Sequence, residues 1–123
     1  MDTLDGAPGI FSARYAGDDA TDADNNRKLL EALAGIPEAA RGASFHCAIA
    51  MVQHGCDPVP LICQASWRGR ILEAPAGAGG FGYDPLFYLP NLGLTSAELE
   101  PTQKNQLSHR GQATRALVTA LTP

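Results

Sequence analysis

The 123-residue sequence predicts an α/β fold in which a mixed β-sheet is flanked by helices. Two observations predict this class. Stretches with helix-capping residues and apolar stripes of helical spacing lie near both ends of the chain, and stretches of strand-like alternation lie between them. The apolar fraction of 45% is ordinary for a globular protein. The length fits one domain, 1–123, or an incomplete one.

The first helix is predicted to begin at Thr21 or Asp22, because either side chain is a good N-cap. Gly35 and Pro37 then end it. Its apolar stripe, three or four residues apart, faces the core. The stripe consists of Leu29, Leu30 and Leu33.

Strands are predicted at Ala43–Gln53 and Leu61–Trp67, joined by a short turn as an antiparallel hairpin. The first of them is apolar on both faces, which is typical of a central strand in a covered sheet. Residues 70–73 are expected to continue the sheet after Gly69, and Leu86–Leu89 forms one more short strand.

Residues 75–85 are too rich in glycine for regular structure and end in Pro85. Their glycines literally satisfy G-x-G-x-x-G, but Pro85 disfavours the helix that a dinucleotide-binding loop requires. Two interpretations stay open, a flexible surface turn and a ligand loop. In the second, Phe81 and Tyr83 offer aromatic faces to a planar base, Gly82 allows close backbone approach, and Asp84 offers an acceptor.

The C-terminal region begins with a capping box, Thr95–Glu98, and the brief helix after it is predicted to end at Pro101. Ser108 is the predicted N-cap of the last helix, so His109 and Arg110 occupy its first turn, where positive charge opposes the helix dipole. Cations there are easier to explain if they serve a ligand's oxygens, although solvated charges remain the alternative. The last helix is predicted to bury Ala113, Leu117 and Leu121.

Composition excludes several classes of function. The net charge of −4 and a pI near 5.2 argue against nucleic acid as a partner. No apolar run reaches the ~18 residues of a membrane span, and no signal peptide is recognisable. Three cysteines cannot all pair within the chain, so with no export signal reduced thiols in a cytoplasmic protein are the simplest interpretation. A metal site is not expected, because His46 and Cys47 are neighbours on a strand and point to opposite faces. The cysteines are Cys47, Cys56 and Cys63.

Taken together, several segments resemble the inosine triphosphate pyrophosphatase family, also called XTP/dITP diphosphatases or noncanonical purine NTP pyrophosphatases. The most specific are the blocks Gly79–Pro85 and Ser108–Gly111 at their mutual spacing. The resemblance runs nearly end to end in the expected order. The other matching stretches are Gly6–Gly9, Ser12–Gly17, Asn26–Leu33, Phe45–Cys47, Thr95–Leu99 and Lys104–Asn105.

The resemblance implies hydrolysis of ITP, dITP or XTP to the monophosphate and pyrophosphate with Mg²⁺, by a homodimer. It places the base against the loop formed by Phe81, Gly82, Tyr83 and Asp84. The remaining base-reading residues would be Lys104, His109 and Arg110. Donors facing the 6-oxygen of hypoxanthine would leave adenine, with its 6-amino group, poorly matched.

The sequence departs from this family before Gly6. Family members carry an N-terminal segment there with an Asn-x-x-Lys phosphate grip, an acidic Mg²⁺ ligand and an Asp-Asp-Ser-Gly motif bearing the catalytic carboxylate. Asp18 and Asp19 lack the Ser-Gly and are better explained as capping the helix that follows. No catalytic residue or metal ligand is therefore assigned, and weak or no activity is expected. The alternative is a non-catalytic nucleotide-binding or assembly module.

Overall fold

A computed structural model describes residues 1–123 as an α/β protein, which confirms the predicted fold class. Its four strands form an antiparallel sheet in the order β1-β2-β3-β4. Short 3-10 helices occupy Asp2–Leu4, Gly9–Arg14, Glu38–Ala40 and Ser96–Glu98. The longer elements are α1 (Asp22–Ala32), β1 (Gly42–Met51), β2 (Leu61–Ile71), β3 (Phe87–Leu89), β4 (Leu94–Thr95), α2 (Pro101–Leu107) and α3 (His109–Leu121).

The chain divides into two compact units. The first contains Met1–Ser44 and Arg68–Leu99, and the second contains Phe45–Trp67 and Glu100–Pro123. The first therefore holds α1, the short strands and the glycine-rich loop. The second holds the outer part of the β1–β2 hairpin with α2 and α3.

In the first unit, α1 begins as its sequence predicts. The Thr21 hydroxyl accepts a hydrogen bond from the Asp24 N–H at 3.1 Å, and the Asp24 carboxylate accepts one from the Thr21 N–H at 3.0 Å. This reciprocal capping box satisfies two backbone donors that the first turn leaves without helical partners. Leu29 and Leu33 are buried beneath the helix.

Arg41 caps the C-terminal end of α1. The side chain is buried and donates to the carbonyls of Leu33 at 2.8 Å, Ile71 at 2.8 Å and Leu72 at 3.0 Å. A cation is favourable there because the last carbonyls of a helix carry partial negative charge. Arg41 thus ties the end of α1 to the end of β2.

Strand β2 is continuous through Gly69 to Ile71, as the expected continuation of the sheet requires. Its last residues pair antiparallel with β3, with Ile71 opposite Phe87, and Tyr88 of β3 lies opposite Thr95 of β4. The core beside them is completed by fully buried Leu86 and nearly buried Leu89.

The prediction that the first strand is central is wrong. Strand β1 stands at one end of the sheet order, and one of its faces is exposed. That face carries Ala48 and Ala50, whose small side chains lose little by meeting water, followed by Val52, which is 54% exposed. The apolar residues on both faces of β1 therefore do not mean that both faces are buried.

Two predictions for the second unit also need correction. The brief helix predicted to end at Pro101 is the 3-10 helix Ser96–Glu98, which ends before that residue. Pro101 instead begins α2, at the first-turn position where a missing N–H costs nothing. On α3, Ala113 is buried and Leu117 half-buried, but Leu121 is 53% exposed because it lies in the last turn. None of the helices is long and apolar enough to cross a membrane.

Candidate functional site

The glycine-rich loop of the first unit is held together by Asp84, which is only 4% exposed. One carboxylate oxygen, Oδ2, accepts a hydrogen bond from the Phe81 N–H at 3.0 Å, and Oδ1 accepts one from the Ser96 hydroxyl at 2.7 Å. Each oxygen of the Asp84 carboxylate thus accepts a hydrogen bond, one from the loop itself and one from the 3-10 helix Ser96–Glu98. Asp84 therefore shapes the loop whether or not it also binds a ligand.

The capping box predicted at Thr95–Glu98 is present and anchors the first half of the same loop. The Thr95 N–H donates to Glu98 at 3.0 Å, and the Thr95 hydroxyl donates to the Ala76 carbonyl at 2.7 Å. The Gly79 N–H donates to the Ala97 carbonyl at 3.2 Å. A motif that caps one short helix thus also orders the loop packed against it.

Helix α1 contacts the loop on its other side, at Gly82. The Gly82 N–H donates to Oδ2 of Asp22 at 2.9 Å, and the Gly82 carbonyl accepts from Nδ2 of Asn26 at 3.1 Å. Gly82 has a φ of +59°, which is the left-handed region that favours glycine.

The two aromatic residues of the loop differ in their surroundings. The Tyr83 hydroxyl donates to the Ser12 carbonyl at 2.6 Å, and burial raises the pKa of Tyr83 to about 12, with the nearby Tyr15 and Asp22 adding to the shift. Phe81, in contrast, is 59% exposed. Tyr83 is therefore fixed as a neutral hydrogen-bond donor, while Phe81 presents apolar surface to solvent.

The remaining predicted site residues lie in the second unit. Ser108 caps α3 by accepting from the Gly111 N–H at 3.0 Å, which confirms its predicted position. His109 and Arg110 occupy the first turn of α3, as predicted. Lys104 lies on α2, and its carbonyl accepts from the Ser108 N–H at 2.8 Å. Short backbone and capping contacts thus hold these residues in consecutive turns.

Aromatic stacking orients His109. Its ring lies parallel to that of Phe45, with centroids 4.9 Å apart and planes 12° apart. The Trp67 ring is 6.4 Å from the His109 ring at 24°. Phe45 and Trp67 therefore restrict the orientation of the imidazole at the start of α3.

The first unit thus brings Phe81, Gly82, Tyr83 and Asp84 together in one ordered loop, and the second brings Lys104, His109 and Arg110 together at the α2–α3 junction. That all seven residues face one ligand stays a prediction.

Residues 1–120 match the Ham1 family. The chain belongs to that family. It is similar to the dITP/XTP pyrophosphatase of Vibrio cholerae, at 52% identity over 121 residues, and to that of Escherichia coli K12, at 53% identity over 121 residues. These matches cover 98% of this chain but 60% and 61% of the two relatives. The chain therefore spans about three fifths of the length of the curated relatives it matches.

Solved structures of Ham1 proteins have the same fold. A HAM1 protein from Coxiella burnetii superposes with a TM-score of 0.93 at 52% identity, covering 98% of this chain and 61% of that one. The Ham1 protein of Staphylococcus aureus gives 0.90 at 42% identity, covering 98% and 60%. The fold of this part of the Ham1 family is therefore shared across these proteins.

The Mg²⁺ that the resemblance implies does not fit the side chains of this chain alone. No group of three or more His, Cys, Asp or Glu side chains is arranged to hold a metal ion. The acidic loop residue Asp84 is buried and engaged with Phe81 and Ser96, and Asp18 and Asp19 are exposed before α1.

Three residues that support the Phe81–Asp84 loop or the start of α3 are not recognisable as such from the sequence. From the sequence, Asp22 is expected only as a helix cap, Asn26 only as part of the resembling stretch Asn26–Leu33, and Phe45 only as a residue of the first strand. Each acts on a residue at least 56 positions away in the sequence, as Asn26 does on Gly82. Neither periodicity nor local spacing carries information on such a contact. An asparagine on a helix or a phenylalanine on a strand is compatible with many structural roles until its contact partner is known.

Proposed function

We propose that this chain carries the base-recognising part of a pyrophosphatase that hydrolyses deaminated purine triphosphates, ITP, dITP or XTP, to the monophosphate and pyrophosphate. Such an activity removes these nucleotides from the pool available to polymerases. The observation that carries the proposal is the match of 98% of the chain to dITP/XTP pyrophosphatases at 52% identity.

The order of the Phe81–Asp84 loop supports a binding role over the alternative of a flexible turn. Hydrogen bonds from three directions hold its backbone and Tyr83 in place, so little conformational entropy remains to be lost on binding. The exposed Phe81 ring is suited to stack on a planar base. In the proposal, Gly82 and Asp84 add close backbone approach and an acceptor for a ring N–H.

The α2–α3 junction supports selection at position 6 of the purine. Arg110 is exposed in the first turn of α3, and its guanidinium has only donors to offer, as has the ammonium of Lys104. Donors match the 6-oxygen of hypoxanthine or xanthine and mismatch the 6-amino group of adenine. His109, held by Phe45, completes this proposed set.

A second function, a non-catalytic nucleotide-binding or assembly module, is favoured by one observation. The chain's own residues form no metal-binding group, although triphosphate chemistry depends on metal and cationic charge. We propose that the 123-residue chain binds the base but hydrolyses the triphosphate weakly or not at all. For the pyrophosphatase proposed first, we also propose a homodimer, dependence on Mg²⁺ and a cytoplasmic location.

Isothermal titration of the 123-residue chain tests base recognition. We expect ITP to bind more tightly than ATP, and Arg110→Ala to weaken ITP binding about tenfold, as expected for one charged hydrogen bond. Binding of inorganic tripolyphosphate, which has no base, is expected to fall much less. Thr114→Ala, an exposed residue of the same helix, serves as the matched control.

Equal losses of ITP and tripolyphosphate binding in Arg110→Ala would assign Arg110 to the phosphates. No preference for ITP over ATP in the unaltered chain would overturn base recognition as a whole.

A further inference from the structure

We propose that Asp22 and Asn26 of α1 are positioning residues that set the conformation of Gly82, and through it the directions of the Phe81 and Tyr83 side chains toward a 6-oxopurine. This inference rests on the proposed function of the loop. Asp22 and Asn26 are four residues apart, so both lie on the same face of α1.

The two contacts act on both sides of one flexible residue. The Gly82 N–H, held by Asp22 at 2.9 Å, belongs to the peptide group between Phe81 and Gly82. The Gly82 carbonyl, held by Asn26 at 3.1 Å, belongs to the next peptide group, toward Tyr83. With both groups fixed, φ and ψ of Gly82 are fixed as well, although glycine has the widest conformational choice of any residue.

The rest of the loop is already constrained from elsewhere. The Phe81 N–H is bonded to Asp84, and the Tyr83 hydroxyl is bonded to Ser12. Gly82 is thus the joint between two fixed points, and α1 holds it in the left-handed conformation at φ +59°. A change of these dihedral angles would turn the Phe81 ring relative to Tyr83.

Asn26 has a feature that packing does not explain. Its Oδ1 is buried without a hydrogen-bond partner in the chain. The amide cannot be turned to relieve this, because the Gly82 carbonyl only accepts and so requires Nδ2 to face it. Asn26 lines a groove whose other wall residues include apolar Ala23, Leu30 and Pro85. An apolar side chain would avoid the cost of the buried acceptor, so the amide is best explained by its bond to Gly82.

The test uses four variants of the 123-residue chain. Asp22→Ala removes the acceptor for the Gly82 N–H, and Asn26→Asp replaces the donor with a carboxylate of the same shape. Asp22→Asn keeps an acceptor oxygen and is the conservative rescue. Glu31→Ala, exposed on the same helix, is the matched control. Urea unfolding identifies any variant that is not folded.

We expect Asp22→Ala and Asn26→Asp each to raise the Kd for ITP about tenfold while leaving the Kd for tripolyphosphate unchanged. Asp22→Asn and Glu31→Ala are expected to stay within about twofold of the unaltered chain. Amide hydrogen exchange, followed by NMR without ligand, should show faster exchange of the Gly82 N–H in Asp22→Ala than in Glu31→Ala.

Folded Asp22→Ala and Asn26→Asp chains that bind ITP as the unaltered chain does would overturn the inference. Unchanged exchange of the Gly82 N–H would overturn it independently of any ligand. If the unaltered chain does not prefer ITP to ATP, the proposed function fails instead, and the exchange measurement still decides whether α1 sets the loop conformation.

Discussion

At the scale of single residues, the side chains that we propose to contact a base also hold the candidate loop in place. Asp84 is predicted as a ligand acceptor, yet its two oxygens accept from Phe81 of the loop and from Ser96 of the 3-10 helix Ser96–Glu98. Tyr83 was predicted as a stacking platform, yet its hydroxyl is bonded to Ser12. A substitution at either residue will therefore change loop order as well as any direct contact with a base.

Tyr83 gives the chain a pH dependence of known sign. Burial raises the Tyr83 pKa from 10.0 to about 12, so the folded chain keeps a proton that the unfolded chain loses. The stabilisation is complete below pH 10 and is lost as the pH rises from 10 toward 12. Tyr83→Phe should be less stable at pH 8, by about 1 kcal/mol for the bond to Ser12, but should lose less stability between pH 10 and 12.

Urea unfolding at pH 8, 10 and 11 measures this difference. Tyr88→Phe leaves Tyr83 in place and should retain the full alkaline loss. An identical alkaline slope in Tyr83→Phe and Tyr88→Phe would contradict the assignment to Tyr83.

At the scale of elements, the α2–α3 junction is compact because the start of one helix supports the end of the other. The Gln112 amide donates to the Leu107 carbonyl at 2.7 Å, and the Arg115 guanidinium donates to the Asn105 carbonyl at 3.1 Å. These donors satisfy carbonyls that the end of α2 leaves without helical partners. His109 and Arg110 are placed by this junction.

Gly111 allows that close approach. A Cβ at position 111 would collide with the Asn105 carbonyl oxygen and lie 2.8 Å from the Asn105 carbonyl carbon, which is backbone and cannot rotate away. Gly111→Ala should therefore lower the free energy of unfolding by about 1–3 kcal/mol, although alanine favours helix. Chemical denaturation measures this change. Gly55→Ala, where a Cβ would meet no atom within 4 Å, should change stability much less.

At the scale of the whole molecule, the proposal assigns base recognition to this chain but assigns no residue of it to the phosphate chemistry. The chain contains the ordered Phe81–Asp84 loop and Arg110 of α3, but no group of three or more His, Cys, Asp or Glu side chains that could hold a metal ion. We expect the 123-residue chain, incubated with ITP and Mg²⁺, to release pyrophosphate weakly or not at all. A coupled phosphate assay with inorganic pyrophosphatase measures the release. Robust turnover that Asp18→Asn or Asp19→Asn abolishes would show that this acidic pair supplies the catalytic carboxylate.

Most local structure followed from the sequence alone. Capping chemistry located the starts of α1 and α3 at Thr21 and Ser108, and alternation located the β1–β2 hairpin. These features are decided within a few residues by backbone hydrogen bonding and side-chain shape, so their patterns can be recognised without a partner. Residue order also indicated the family, since the blocks Gly79–Pro85 and Ser108–Gly111 keep their spacing.

Only the tertiary structure decided which residues support the loop and which strand faces are covered. Asp22 and Asn26 contact Gly82 at sequence separations of 60 and 56 residues, and Arg41 contacts Leu72 at a separation of 31. Such pairs depend on how whole elements pack, which local preference does not specify. The same reason explains the failed prediction for β1, because an apolar face shows that a strand tolerates burial, and only its neighbours determine whether it is buried.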